Sequence, residues 1–125
     1  ANEGILHVLF YGALFISQRT PKLFGIDNIE TSLNPHLCRN LMKELCKLAK
    51  ENDKQALITT HNPAILDGLN LKDDEQRLFV VSRSDKGDTR AKRIQLKENV
   101  EVDGQKLKLS ELWMRGHLGG LPTNF

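Results

Sequence analysis

Hydrophobic positions fall along this chain in three rhythms, and the change from one to the next marks its elements. From Glu3 to Ser17 apolar residues lie on most sides of a helix of period 3.6, as in a helix packed between a sheet and another layer. Arg19-Thr20-Pro21-Lys22 interrupts it, because Pro21 lacks an N–H and restricts Thr20. Leu23 to Ile26 is a short continuous apolar run that ends in Asp27, the pattern of a buried parallel strand delivering an acid to the sheet edge. Asn34-Pro35 then gives an N-cap followed by proline at the first helical position. Leu37, Leu41, Met42, Leu45, Leu48 and Ala49 recur at helical spacing as far as Asn52, with Arg39, Lys43, Glu44, Lys47 and Lys50 mostly on other faces.

Gln55 to Thr60 predicts a second strand that ends in His61-Asn62-Pro63, and Asn62-Pro63 caps a short helix from Ala64 to Leu69, closed by Gly68 and Asn70. One βαβ unit therefore brings Asp27 and His61 to the same sheet end, as neighbours or with one strand between them. Ligands of open α/β sheets collect there, outside the carboxyl ends of the strands. Further on, Gln76 to Arg83 and Thr89 to Leu96 read as a hairpin around the turn Ser84 to Asp88. Lys106 to Leu109 reads as a short strand, Ser110 as the cap of a helix from Glu111 to Arg115, Gly116 as its stop, and Gly119 to Pro122 as irregular tail. The fold class expected is α/β, a mainly parallel sheet flanked by helices with an antiparallel hairpin toward the C-terminus.

Composition narrows this little. The 125 residues are 39% hydrophobic and 27% charged, ordinary for a soluble chain and enough for one domain, 1–125, with a modest core. A net charge of +2 is too mild to imply nucleic acid. Cys38 and Cys46 stand eight apart on one predicted helix, about 12 Å along its axis, too far to bridge. With no secretory leader in the pattern, a reducing, cytoplasmic setting is expected. Ile5 to Ile16 is shorter than the roughly 20 residues of a membrane span, and His7, Tyr11 and Gly12 interrupt it, so it reads as a buried helix with no membrane partner. The chain starts in mid-pattern at Ala1-Asn2-Glu3-Gly4, which suggests a fragment of a longer polypeptide.

Three pieces in order resemble the C-terminal half of an ABC-type ATPase head. The nearest group is that of the OLD (overcoming-lysogenization-defect), chromosome-maintenance and recombination-repair ATPases. Asn2-Glu3-Gly4, opening a helix, resembles the signature motif, with Asn2 in place of the usual serine. Leu23 to Asp27 resembles a Walker B strand, and Ser32-Leu33-Asn34-Pro35 sits where the D-loop follows. Thr59-Thr60-His61-Asn62-Pro63 resembles the switch-histidine loop. The likeness runs from about residue 1 to residue 96. It implies a partial P-loop NTPase lobe whose cofactors are ATP and Mg²⁺. Asp27 would hold the water shell of the metal, a hard cation suited to carboxylate and water oxygens. His61 would sense the γ-phosphate, and Ser32 and Asn34, at the D-loop position, would help bind the cofactor. Asn2 and Gly4 would reach across to the nucleotide of a partner head, Gly4 letting phosphate approach free N–H groups of a first helical turn. Taken singly, each has a plainer explanation: an Asp ending a strand, a histidine satisfied by loop carbonyls, a truncated helix start.

Two departures from the pattern matter. No G-x-x-x-x-G-K-[ST] occurs, so the loop that cradles the phosphates is missing and the chain supplies half a site. The implied partners are an N-terminal Walker A lobe of the same protein, a second head in a homodimer, a nuclease effector and DNA. Where the family reads Asp-Glu-Pro-Glu, this chain reads Asp27-Asn28-Ile29-Glu30. The Asn28 amide orients water but takes no proton at neutral pH. Either Glu30 is the base or the head works mainly as an ATP-dependent clamp.

The resemblance implies action in DNA repair or phage defence. Two alternatives stand beside it: a degenerate head that dimerises without turnover, and a metal-dependent nuclease using Asp27, Glu30 and His61. The hairpin cations Arg83, Lys86, Arg90, Lys92 and Arg93, with Lys97, could track a phosphate backbone, but Asp85 and Asp88 dilute them. A solvated, charge-managed edge is the expectation. Trp113 and Phe125 are expected to be packing anchors.

Overall fold

A computed structural model describes residues 3–95, 101–102 and 105–118. The chain divides into two compact units, Ala1–Leu69 and Asn70–Phe125.

The first unit runs α1 (Glu3–Ile16), β1 (Leu23–Ile26), α2 (Pro35–Glu51), β2 (Gln55–Ile58), α3 (Pro63–Leu66). β1 and β2 pair directly and in parallel, Leu23 opposite Gln55 through Ile26 opposite Ile58. The α2 start follows from its sequence. The Asn34 side chain accepts the Leu37 N–H at 2.9 Å, and Pro35 occupies a position whose N–H would have no helical partner. Cys38, Leu41, Met42 and Leu45 form its buried stripe. At the far end the Asn52 side-chain amide and backbone N–H both donate to the Leu48 carbonyl.

These residues, with Tyr11 and Phe15 of α1, Ile26, Ile29 and Ile65, make one core cluster that Phe24, Ala56 and Ile58 pack against. Phe15 meets Phe24 edge-on, centroids 5.0 Å apart. Gly68 allows the close approach of the chain after α3 to α2, since a Cβ there would lie 2.5 Å from the Arg39 carbonyl oxygen.

Two expectations are corrected here. α1 buries only Gly4, Tyr11 and Phe15, while Ile5, Leu6, Leu9, Phe10 and Ile16 are at least half exposed. The strands are likewise buried on one face, and Leu23 and Leu57 on the other are 59% and 72% exposed. The reason is the same in both cases: among the described residues of this unit, α1, α2 and α3 share one core cluster, against the strand face that carries Phe24, Ile26, Ala56 and Ile58. None of the described helices is long and apolar enough to cross a membrane.

Lys54 holds the turn between α1 and β1. It is buried, and its Nζ donates to the Ser17 and Thr20 carbonyls at 2.9 and 2.8 Å and to the Thr20 hydroxyl at 2.9 Å. The Pro21 carbonyl is a fourth, longer acceptor at 3.4 Å, and the charge sits favourably at the carbonyl end of a helix. Hydrogen bonds to a charged group contribute roughly 1.5–3 kcal/mol each at most, so this lysine ties the start of β2 to the turn that enters β1.

In the second unit β3 (Leu78–Arg83) and β4 (Thr89–Ile94) form the expected antiparallel hairpin. Gly87 takes a φ of +87°, and Ser84 closes the turn by accepting the Gly87 N–H on its carbonyl and the Asp88 N–H on its hydroxyl. The register places Arg90 and Lys92 on one face and Arg83 and Arg93 on the other, so the cations form no single stripe. Arg93 pairs with Asp74 at 2.7 Å, and its hydrogen bond, then the Arg93 and Arg77 charges, hold the Asp74 carboxyl below its usual range. Lys97 lies outside the described residues.

The strand expected over Lys106 to Leu109 is instead β6 (Gln105–Lys106), paired with β5 (Glu101–Val102). α4 (Leu109–Met114) starts ahead of Ser110, with Lys108 in the cap position and no side-chain cap bond, because Leu109 and Leu112 are both buried on its face. Gly116, φ +78°, ends α4 as expected. The Gly116 and His117 N–H groups bond back to Trp113 and Leu112 in a Schellman arrangement. Trp113 is half-buried, and Phe125 and the Gly119–Pro122 tail lie outside the described residues.

Candidate functional site

The candidate site is built where the chain leaves the carboxyl ends of β1 and β2, the rim at which neighbouring parallel strands present their terminal side chains. The parallel ladder runs on past the strands. The Thr59 N–H donates to the Ile26 carbonyl at 2.9 Å, and the Ile29 N–H donates to the Thr59 carbonyl at 3.2 Å. Segments 27–30 and 59–62 are therefore locked side by side, and Asp27 and His61, both exposed, share this rim.

Side chains complete the lock. The Thr59 hydroxyl donates to Asp27 Oδ1 and accepts the Asn28 N–H at 2.9 Å. The Thr60 hydroxyl donates to Glu30 Oε2 at 2.7 Å, and the His61 backbone N–H donates to Glu30 Oε1 at 2.9 Å. The Asn62 N–H donates to the Thr60 hydroxyl at 3.1 Å, and the Asn62 side chain caps α3 by accepting the Ala64 N–H at 2.9 Å. Adjacent threonines on a strand end face opposite ways, so Thr59 serves one acid and Thr60 the other. The only signal for them in sequence was two hydroxyl-bearing residues before the histidine.

The turn after Asp27 has its own local logic. Asn28 adopts φ +51° and Ser32 φ +65°, left-handed conformations that asparagine tolerates better than most residues. A backbone need therefore accompanies the chemical difference between amide and carboxylate at position 28. The Asn28 carbonyl accepts from both the N–H and the hydroxyl of Thr31. Ile29, fully buried, points the turn into the core and leaves its neighbours at the surface. His7 of α1 reaches the Thr31 carbonyl with Nδ1 at 3.0 Å, tying the helix to this turn.

Electrostatics follow from Glu30. Burial raises the Tyr11 phenol above its usual range, and the Glu30 charge adds to it. Burial and Glu30 also push the Cys38 thiol up, partly offset by a hydrogen bond from its own backbone N–H. Beside β1 an open groove of about 380 Å³ runs between Phe10, Tyr11 and Leu14 of α1 and the stretch Phe24 to Asp27.

Of the residues singled out in the sequence, Asp27, Asn28, Glu30 and His61 come together. Ser32 is exposed on the connecting turn, and Asn34 uses its side chain to cap α2. Gly4 is buried in the first turn of α1, and Asn2 lies outside the described residues. Among the described residues no three His, Cys, Asp or Glu side chains converge as a metal cage. The proposed triad of ligands Asp27, Glu30 and His61 therefore has no geometric support, since Glu30 is turned to the Thr60 hydroxyl and the His61 N–H. A single exposed carboxylate with one oxygen engaged suits Mg²⁺ bound together with phosphate and water, because that ion takes one or two carboxylates and retains much of its water.

A protein-family model described as "AAA domain, putative AbiEii toxin, Type IV TA system" matches residues 3–67, which is just over half of the chain and spans α1 to α3. No curated protein and no solved structure matches the chain.

Proposed function

The chain belongs to the AAA-domain family of that description, and on this premise we propose that it forms the Walker B and switch-histidine half of an ABC-type ATP site. The family gives a P-loop NTPase-like domain and nucleotide use in general. The finer reading rests on one observation: an acid and a histidine stand on the shared rim of two parallel neighbouring strands, locked by Thr59, Thr60 and Glu30.

When bound, Mg²⁺·ATP supplies a phosphoryl group whose charge the metal offsets. Asp27 would hold the metal's water through its carboxylate, its orientation set by the Thr59 hydroxyl. Asn28 would orient water. His61 would donate to the terminal phosphate. The phosphate-cradling loop is absent from these 125 residues, so a Walker A lobe completes the pocket. A second head would close over the nucleotide through the signature residues Asn2 and Gly4, with Ser32 and Asn34 contributing from the D-loop position. Opening and closing of the pair would drive DNA repair or defence against phage through an effector such as a nuclease; this part rests on family likeness alone.

Calorimetry compares the chain with a protein that carries both this lobe and a P-loop. The complete protein is expected to bind Mg²⁺·ATP, and the chain alone at least about 100-fold more weakly, lacking charge-assisted bonds to the phosphates. Equal affinity would contradict a half-site.

A further inference from the structure

Glu30 stands where a substitute base is wanted, two residues beyond an asparagine that takes no proton. Its geometry assigns it another task. One carboxylate oxygen accepts the His61 backbone N–H at 2.9 Å and the other accepts the Thr60 hydroxyl at 2.7 Å. The bonds join residues 31 and 30 positions apart and are the side-chain tie between the β1 turn and the residue carrying the imidazole. Both oxygens are engaged by residues 60 and 61, and taking a proton from water would weaken the acceptors that hold the histidine.

We propose that Glu30 is a positioning residue: it clamps the His61 loop to the turn that carries Asp27, so that the metal-side acid and the phosphate sensor keep one fixed geometry. The proposal rests on the nucleotide-site reading for its purpose, but the clamp itself belongs to the free chain. Thr60 is the second member. Its hydroxyl donates to Glu30 and accepts the Asn62 N–H, so the clamp continues into the cap of α3. Tyr11 lies near enough to feel the Glu30 charge, which gives the carboxylate a spectroscopic reporter, since the chain has one tyrosine.

A clamp and a base respond differently to Glu30→Gln. Glutamine keeps an oxygen for the His61 N–H, and its amide can donate to the Thr60 hydroxyl, which can turn its own proton toward the Asn62 carbonyl at 3.5 Å. Glutamine cannot accept a proton from water. Glu30→Ala removes both bonds.

In the chain without nucleotide, hydrogen exchange of the His61 amide is expected to quicken about tenfold or more in E30A and to stay within about threefold of the parent in E30Q. Thr60→Val should leave the His61 bond but loosen Asn62. Both Glu30 variants should bring the phenolate titration of Tyr11 down toward its ordinary range, while burial keeps it above. Unchanged His61 protection in E30A would overturn the clamp whether or not the chain binds ATP.

In the P-loop-carrying protein, turnover lost in E30A should be largely rescued in E30Q. Equal loss in both variants would make Glu30 the base and overturn the proposal. Should E30A fail to fold by circular dichroism, the E30Q turnover and the Thr60→Val exchange pattern decide alone: an E30Q as inactive as an Asp27 variant, or Asn62 exchange unchanged in Thr60→Val, would overturn it.

Discussion

Replacing His61 with alanine is expected to lower ATP turnover by the completed head roughly 100-fold, the loss typical of one preorganised donor aimed at developing charge. The assay needs protein that carries both this lobe and its P-loop. The expectation follows from where His61 sits. It is exposed at the end of β2, beside the β1 turn, and its own backbone N–H is tied to Glu30, so the residue is held while the ring stays accessible. Binding should suffer less than turnover if the imidazole acts mainly on charge that grows during phosphoryl transfer. Unchanged turnover would remove the histidine from the chemistry and leave it a loop residue.

The second large effect is on folding. Ile29 is fully buried, sits between Asp27 and Glu30, and belongs to the core cluster. Ile29→Ala is expected to destabilise the chain by about 2–5 kcal/mol, the range for deleting a buried branched side chain and leaving a cavity, whereas Ile29→Val should cost about 0.5–1.5 kcal/mol. Urea unfolding followed in the helical dichroism band reads both. The alanine variant should also loosen the site, because the Ile29 N–H bond to Thr59 depends on the same anchor. A loss near the valine value for both would mean that the turn relaxes freely and that the core does not set the position of Asp27.

How much of this was legible beforehand depends on how local each feature is. β1 and α2 follow from short-range rules: an apolar run closed by an acid, a capping asparagine followed by proline, and apolar residues repeating with the helical period. Parallel pairing of β1 with β2 follows from the helix between them, and with it the common rim for Asp27 and His61.

The contacts that lock the rim together were not legible. Thr59 to Asp27 and Thr60 to Glu30 join residues 32 and 30 apart, and no periodicity announces them. Lys54 was invisible for the same reason, since its acceptors lie 33 to 37 residues upstream. At α4 a local rule misled. Serine is the favoured cap, yet burying Leu109 together with Leu112 moved the helix start ahead of Ser110. α1 shows the opposite failure. Its all-round apolarity predicted burial on most sides, and the described residues cover one stripe. Asn28 was readable as a lost carboxylate but not as a left-handed turn residue, because φ is set by the tertiary path of the chain.

The central claim is that the ends of β1 and β2 together wall one triphosphate pocket. Paramagnetic Mn²⁺ added with ATP to nitrogen-labelled, P-loop-carrying protein tests it most directly, because broadening by the ion falls off steeply with distance. Amide signals of Asp27 to Glu30 and of Thr59 to His61 should broaden together, at matching concentrations of Mn²⁺·ATP, while those of Leu23 and Gln55 at the opposite strand ends broaden less. Broadening at one strand end alone, or at neither while ATP is bound, would contradict it.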